Sequence, residues 1–84
     1  MAEVVVYGRD TCPYCLRAKE LLAMKQVSYQ YIDVLANPNA KADMQSQGGG
    51  HTVPQIFIDG AAIGGCDDLF ALDAAGELDK LLQS

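Results

Sequence analysis

Two cysteines near the start of the chain are spaced for chemistry between sulfur atoms. The segment TCPYC places Cys12 and Cys15 three positions apart, with Pro13 between them. Two thiols at this spacing can form a structural disulfide, supply half of a zinc site or work as a redox pair. A zinc site would also need His51 and Cys66, whose spacings match no common zinc-binding pattern. A redox pair is therefore the favoured interpretation.

The position of Cys12 predicts that its thiol is the more acidic of the two. A thiol attacks a disulfide only as the thiolate, and a free cysteine with a pKa of about 8.5 is mostly protonated at neutral pH. Pro13 is favoured at the first position of a helix, which puts Cys12 at the helix cap, where unpaired N–H groups and the helix dipole favour an anion. Arg9 adds a positive charge. We therefore predict that Cys12 is an exposed attacking thiol with a lowered pKa, and that Cys15, one helical turn further on, is the resolving thiol.

The rest of the chain predicts an α/β fold that positions this pair. Apolar and β-branched runs indicate strands, amphipathic spacing indicates helices, and the Asp59–Gly60 pair indicates a hairpin turn. The predicted elements are a strand at 3–7, a helix at 13–25, a strand at 28–34, a helix at 37–47, strands at 55–58 and 61–64, and a helix from residue 66 that breaks at Gly76 before a short helical tail. The order βαβαββα, with a C-x-x-C pair between the first strand and the first helix, is typical of a thioredoxin-like fold, with a four-stranded mixed sheet flanked by helices.

Composition and charge limit the possible classes of protein. The 84 residues, half of them apolar, predict a single packed domain over residues 1–84, which we expect to be monomeric. A net charge of -5 disfavours nucleic-acid binding, although four of the six lysines and arginines lie within residues 1–25, around the cysteine pair. No apolar run is long enough for a membrane span, and the first ten residues lack the pattern of a secretory signal. Three cysteines, an odd number, argue against a disulfide scaffold, and we expect a cytoplasmic protein.

Three motifs together resemble those of the glutaredoxin family: CPYC at 12–15, TVP at 52–54 and GGCDD at 64–68. The order and spacing are similar over the whole chain, and they resemble most the small bacterial dithiol class known as the glutaredoxin 3 class. Thioredoxins share the fold but typically carry CGPC after a tryptophan, and this chain has no tryptophan. The resemblance implies an enzyme, a glutathione-dependent thiol-disulfide oxidoreductase. It would reduce protein disulfides and remove glutathione from mixed disulfides.

The resemblance also implies a groove that binds glutathione beside Cys12. The residues implied are Arg9 and Lys41 for the glycine carboxylate, Tyr14 for one wall, Thr52 and Val53 for backbone pairing beside a cis Pro54, and Asp67 and Asp68 for the γ-glutamyl end. An extended peptide such as glutathione can pair with an exposed backbone edge, and a helix start can bind its carboxylate. For each charged residue the alternative is an ordinary role, either at the surface or at a helix start.

Two further functions stay open from the sequence. The first is a carrier of a [2Fe-2S] cluster held by Cys12 and a bound glutathione from each of two chains, against which Pro13 argues. The second is a redoxin reduced by thioredoxin reductase. We expect no resident metal, and we expect disulfide-containing or glutathionylated proteins as partners, with ribonucleotide reductase plausible from the resemblance. Cys66 is expected to be an inert thiol near the groove, and His51 an exposed loop residue.

Overall fold

A four-stranded sheet with helices on both faces forms the framework of the protein. The computed structural model describes residues 2–9, 11–50 and 52–83. The elements are β1 (Val4–Gly8), α1 (Pro13–Met24), β2 (Gln30–Asp33), α2 (Ala40–Ser46), β3 (Gln55–Ile58), β4 (Ala61–Gly64), α3 (Cys66–Ala74) and α4 (Leu78–Gln83). This order confirms the predicted βαβαββα arrangement, and α4 is the predicted helical tail.

The sheet is mixed, as predicted, and β1 lies inside it. The strand order is β2-β1-β3-β4, with β1 parallel to β2 and antiparallel to β3, and with β3 antiparallel to β4. Val6 of β1 is paired with Tyr31 of β2 on one side and with Ile56 of β3 on the other. Since β1 leads directly to the cysteine pair, the site begins at the end of a strand held by two neighbours.

Alternating residues of β1 and β3 pack into two hydrophobic clusters on opposite faces of the sheet. The larger cluster joins the strands to α1, α3 and α4, and its buried members are Val4, Val6, Ala18, Leu21, Leu22, Ile56, Ile58, Leu69, Leu78 and Leu82. The smaller cluster joins the strands to α2 through Tyr7, Ala40, Met44 and Phe57. The helix that carries Cys15 therefore belongs to the larger core.

The predicted start of the second helix at Asn37 is wrong. Asn37 belongs to the loop before the helix, where its side-chain amide donates to the Asp33 carbonyl at 2.9 Å, and its own carbonyl accepts from the Ala40 N–H at 3.0 Å. The helix begins at Ala40, after the cap residue Asn39, whose side chain makes no capping hydrogen bond. An asparagine followed by proline thus closes a turn here instead of capping the helix.

The second strand spans Gln30–Asp33, shorter than its predicted span of 28–34, and a turn ends it after Asp33. The Asp33 carboxylate accepts hydrogen bonds from the N–H groups of Leu35 and Ala36, at 2.8 and 3.3 Å. The predicted hairpin at Asp59 and Gly60 is confirmed, and both residues have positive φ, 52° and 83°, as a type I′ turn requires. Among the helices of residues 2–9, 11–50 and 52–83, none is long and apolar enough to cross a membrane.

Candidate active site

Cys12 is the N-cap residue of α1, as predicted. Its backbone is extended, Pro13 opens the helix, and the Cys12 carbonyl accepts the N–H of Leu16 at 3.2 Å. The Cys15 N–H donates to Cys12 Sγ at 3.4 Å, so the sulfur accepts one of the N–H groups that a helix start leaves unpaired. This is a position in which a thiolate is stabilised.

The predicted exposure of Cys12 is wrong, because the side chain is only 7% exposed. Val53, from the loop before β3, lies against the sulfur, and the Cys12 thiol donates to the Val53 carbonyl at 3.8 Å. The backbone between Val53 and Pro54 is cis, as the resemblance implied. A substrate therefore approaches the sulfur along a surface that Val53 helps to form.

The pKa of the Cys12 thiol lies below its ordinary value. Burial acts in the opposite direction, since it disfavours the charged form. Hydrogen bonds from the Cys15 thiol and from the N–H groups of Cys15 and Tyr14, together with the charge of Arg9, outweigh it. The helix start and the nearby cation are the predicted causes, and the hydrogen bond from the Cys15 thiol is a further cause that was not predicted. Cys12 is therefore the thiol that ionises first.

Cys15 has the opposite character. It is 1% exposed, and the pKa of its thiol is raised to about 11. Burial is the main cause and the neighbouring Cys12 sulfur adds to it, while Arg9 opposes the shift. All three cysteines are free thiols in the structure. The two sulfurs of the motif thus form an unequal pair, one favoured as an anion and the other held protonated.

A groove of about 680 Å³ lies beside this pair, between the start of α1, the loop before β3 and the start of α3. It contains most of the residues that the resemblance assigned to glutathione, namely Tyr14, Thr52, Val53, Pro54, Asp67 and Asp68. Cys12 touches this groove through Val53, one of its lining residues. Three segments that are distant in sequence are therefore brought together at the attacking sulfur.

The acidic end of the groove is the start of α3. Asp67 and Asp68 are exposed in the first turn of the helix, and one oxygen of the Asp68 carboxylate accepts the Gly65 N–H at 3.1 Å. This is half of a capping box, so the ordinary structural role considered for Asp68 is present. A Cβ on Gly64 would collide with the same carboxylate, and glycine at this position leaves it room.

Arg9 and Lys41 are not among the residues that line the groove. Arg9 is exposed next to the attacking cysteine, and its carbonyl accepts the Cys12 N–H at 3.2 Å. Lys41 is exposed on α2, the helix that packs on the opposite face of the sheet from α3. Arg9 therefore acts on Cys12 by its charge, while a ligand contact for either residue stays a prediction.

Sequence reasoning missed two features of the groove. Gly48 and Gly50, which follow α2, line it, although neither was assigned to the groove from the sequence. Arg17 lies 5.8 Å from the centre of the Tyr14 ring, and its spacing of three helical residues from Tyr14 could have indicated this contact. Cys66, placed near the groove by the sequence, does line it, and burial, followed by the Asp67 charge, raises the pKa of its thiol.

Within the described ranges, no group of three or more histidine, cysteine or acidic side chains could hold a metal ion. His51, considered for a zinc site and as a loop residue, lies outside the described residues.

Comparisons with known proteins agree with the fold. The protein-family model for glutaredoxin matches residues 4–63. Glutaredoxin 3 of Escherichia coli strain K12 is 54% identical over 83 residues, which cover 99% of this chain and all of that protein. The solution structure of Brucella melitensis glutaredoxin superposes with a TM-score of 0.83 at 51% identity, covering 98% of this chain and 89% of that one. A buckwheat glutaredoxin-glutathione complex superposes with a TM-score of 0.87 at 32% identity, covering 98% and 77%.

A thioredoxin-like sheet that carries a C-x-x-C pair at a helix start, with the pKa of the first thiol lowered, defines a thiol-disulfide oxidoreductase. The family model spans more than half of the chain, and the Escherichia coli relative spans nearly all of it. The chain belongs to the glutaredoxin family, most like glutaredoxin 3. It is accordingly a glutathione-dependent thiol-disulfide oxidoreductase.

Proposed function

We propose that Cys12 is the attacking thiol and Cys15 the resolving thiol of this oxidoreductase. The observation that carries the assignment is the hydrogen bond from the Cys15 N–H to Cys12 Sγ at the start of α1, together with the lowered pKa of Cys12. The Cys12 thiolate attacks a substrate disulfide, forms a mixed disulfide with one sulfur and releases the other as a thiolate. Either Cys15 or glutathione then attacks the mixed disulfide.

The groove beside Cys12 is the proposed binding site for glutathione. Its walls are Tyr14 and the segment from Thr52 to Pro54, and its far end is the start of α3. Glutathione carries an ammonium and a carboxylate at its γ-glutamyl end, and the Asp67 and Asp68 carboxylates suit the ammonium, while N–H groups at the helix start suit the carboxylate. The solved glutaredoxin-glutathione complex of the buckwheat relative supports this assignment.

The residues proposed to bind the glycine end of glutathione are chosen for their positive charge. Arg9, exposed beside Cys12, and Lys41, exposed on α2, would meet the glycine carboxylate of glutathione. Arg9 has the stronger support, because its charge already reaches the attacking sulfur. Lys41 lies on the helix at the opposite face of the sheet, and its support is the resemblance alone.

The proposed partners are glutathione and proteins that carry disulfides or glutathionylated cysteines. Ribonucleotide reductase is one such protein in keeping with the family, and a monomeric enzyme of the cytoplasm is the simplest form. The odd number of cysteines argues against a disulfide scaffold and supports a reducing compartment. No resident metal is required for the proposed exchange, because every step is a transfer between sulfur atoms.

Two single-thiol variants test the assignment. We expect Cys12→Ser to abolish both reduction of a protein disulfide and removal of glutathione from a small mixed disulfide, because no sulfur remains to attack. We expect Cys15→Ser to keep the second activity within about threefold, since glutathione replaces Cys15 as the resolving thiol, and to slow the first strongly. The assay couples turnover to glutathione and its reductase, with thioredoxin reductase as the alternative electron source. Loss of both activities in Cys15→Ser would contradict the assignment.

A further inference from the structure

Gly8, the last residue of β1, lies next to both the Tyr31 hydroxyl and the Cys15 thiol. A Cβ at this residue would lie 2.9 Å from the hydroxyl oxygen of Tyr31 and 3.0 Å from the Sγ of Cys15. The two atoms are therefore separated by no more than the sum of these distances. Because residue 8 is a glycine, no Cβ crowds the phenol or the thiol.

Tyr31 is held firmly in this position. It lies on β2, paired with Val6 of β1, and its ring packs against the larger hydrophobic cluster. The Lys19 ammonium, from α1, sits over the ring at 4.2 Å from its centre, within the range of a cation–π contact. The hydroxyl oxygen itself is buried. The phenol is thus oriented from both sides and directed towards Gly8.

We propose that the Tyr31 hydroxyl positions Cys15 for the resolving step by donating a hydrogen bond to its thiolate. Tyr31 is then a positioning residue for dithiol turnover, and it has no part in reactions that need Cys12 alone. This inference rests on the assignment of Cys15 as the resolving thiol. It adds a residue on β2, outside the three motifs that define the family resemblance.

The need for such a donor follows from the burial of Cys15. Its side chain is 1% exposed, so water cannot solvate the anion that must form before Cys15 attacks. In that step the Cys15 thiolate attacks Cys12 Sγ, an S–S bond forms between the two cysteines, and the bond from Cys12 to the substrate sulfur breaks. The substrate sulfur leaves as a thiolate and is protonated in turn, so that overall one proton is lost by Cys15 and one is gained by the substrate. The Tyr31 proton stays on its own oxygen.

Among the described residues, the charged and titratable groups around Cys15 come from two elements and one loop. Cys12 and Arg9 act on Cys15 from the start of α1 and the preceding loop, Tyr31 faces it from β2, and Lys19 stands behind the Tyr31 ring on α1. Arg9 favours the Cys15 anion and the Cys12 thiolate disfavours it. In the mixed disulfide Cys12 carries no charge, so the hydroxyl of Tyr31 then acts together with Arg9.

A chromogenic aromatic disulfide separates the two steps. In a Cys66→Ala background, Cys12 attacks the reagent and releases one coloured thiolate, and Cys15 then releases the second. The release of the first thiolate is the first phase and the release of the second is the second phase. We expect Tyr31→Phe, which keeps the ring and the Lys19 contact, to leave the rate of the first phase unchanged. The rate of the second phase should fall about tenfold near neutral pH, the size of a lost hydrogen bond to a charged group. The pH profile of the second phase should move to higher pH. Tyr29→Phe, on the same stretch of chain, is the matched control and should change neither phase.

Gly8→Ala provides a second test, because its methyl group would crowd both the hydroxyl and the sulfur and force at least one of them to move. We expect the same selective loss in the second phase, with thermal unfolding showing that the fold is retained. An unchanged second phase and pH profile in Tyr31→Phe would overturn the proposal, and so would equal slowing of both phases. If the parent protein released only one equivalent of thiolate, the assignment of Cys15 itself would fail.

Discussion

At the scale of single residues, the two sulfurs of the motif differ because their surroundings differ. Cys12 accepts a hydrogen bond from an N–H at a helix start and has a neighbouring cation, while Cys15, within α1, is buried. Burial disfavours both anions, but only Cys12 has enough hydrogen bonds and positive charge to reverse the effect. The chemical division between an attacking and a resolving thiol follows from this difference.

Removing the Arg9 charge should make Cys12 a weaker nucleophile at low pH. Because that charge favours the thiolate, Arg9→Gln should raise the pKa of Cys12 and move the pH dependence of its alkylation to higher pH. Below the pKa the alkylation rate should fall about twofold, as expected for an exposed charge. The rate of alkylation by iodoacetamide, measured over a series of pH values, would give the pKa of Cys12 in each variant. Lys80→Gln, which removes an exposed charge at α4, is the control, and an equal shift in both variants would rule out a local effect of Arg9.

At the scale of elements, an ion-pair network joins three helices of the larger core. Lys25, just after the end of α1, lies 2.6 Å from a carboxylate oxygen of Asp73 in α3 and 3.1 Å from one of Asp79 in α4. The hydrogen bond to Asp73, and to a smaller extent the one to Asp79, raises the pKa of Lys25. The network holds the far end of α1, while Cys12 and Pro13 set its active-site end.

Lys25→Met should lower the melting temperature by a few degrees in dilute buffer. The loss should shrink in concentrated salt, because exposed ion pairs are screened. A raised pKa in the folded state means that the stabilisation is full below the ordinary lysine pKa and is lost as the pH rises through the raised value. Lys80→Met is the matched control, since Lys80 contacts only Glu77 among the ion pairs of the described residues, at 3.8 Å. A decrease in melting temperature that did not depend on the salt concentration would contradict the electrostatic explanation.

At the scale of the whole molecule, two hydrophobic clusters hold the sheet and thereby the site. The larger cluster fixes α1 and α3, whose starts form two sides of the groove, and the smaller one fixes α2. A chain of this length has a modest margin of stability, so a single cavity removes a large share of it. The geometry around Cys12 therefore depends on packing far from the sulfur.

Leu22→Ala should destabilise the whole protein by about 2 to 5 kcal/mol, the range for a large-to-small change in a core. Leu22 is fully buried, with 0% of its side chain exposed, whereas Met24 on the same helix is 78% exposed. Met24→Ala is therefore the matched control and should change stability little. Chemical denaturation would give both values, and comparable losses in the two variants would show that the larger cluster is not the main source of stability.

The sequence alone determined what depends on near neighbours along the chain. The order of strands and helices, Cys12 at the cap before Pro13, the hairpin at Asp59 and the inequality of the two thiols follow from periodicity, capping and turn chemistry. The false helix start at Asn37 has the same origin, because an Asn-Pro pair suits a cap and a loop equally and only the contact with Asp33 decides between them.

Only the tertiary structure decided what depends on residues far apart in sequence. Val53 lies 41 positions from Cys12 and covers its sulfur, which the local pattern had left exposed. The meeting of Tyr31 with Cys15 at Gly8 likewise requires β1, β2 and α1 to be packed together. Burial, and with it the pKa of each thiol, is set by such distant segments, and no local spacing encodes which of them will lie against a given sulfur.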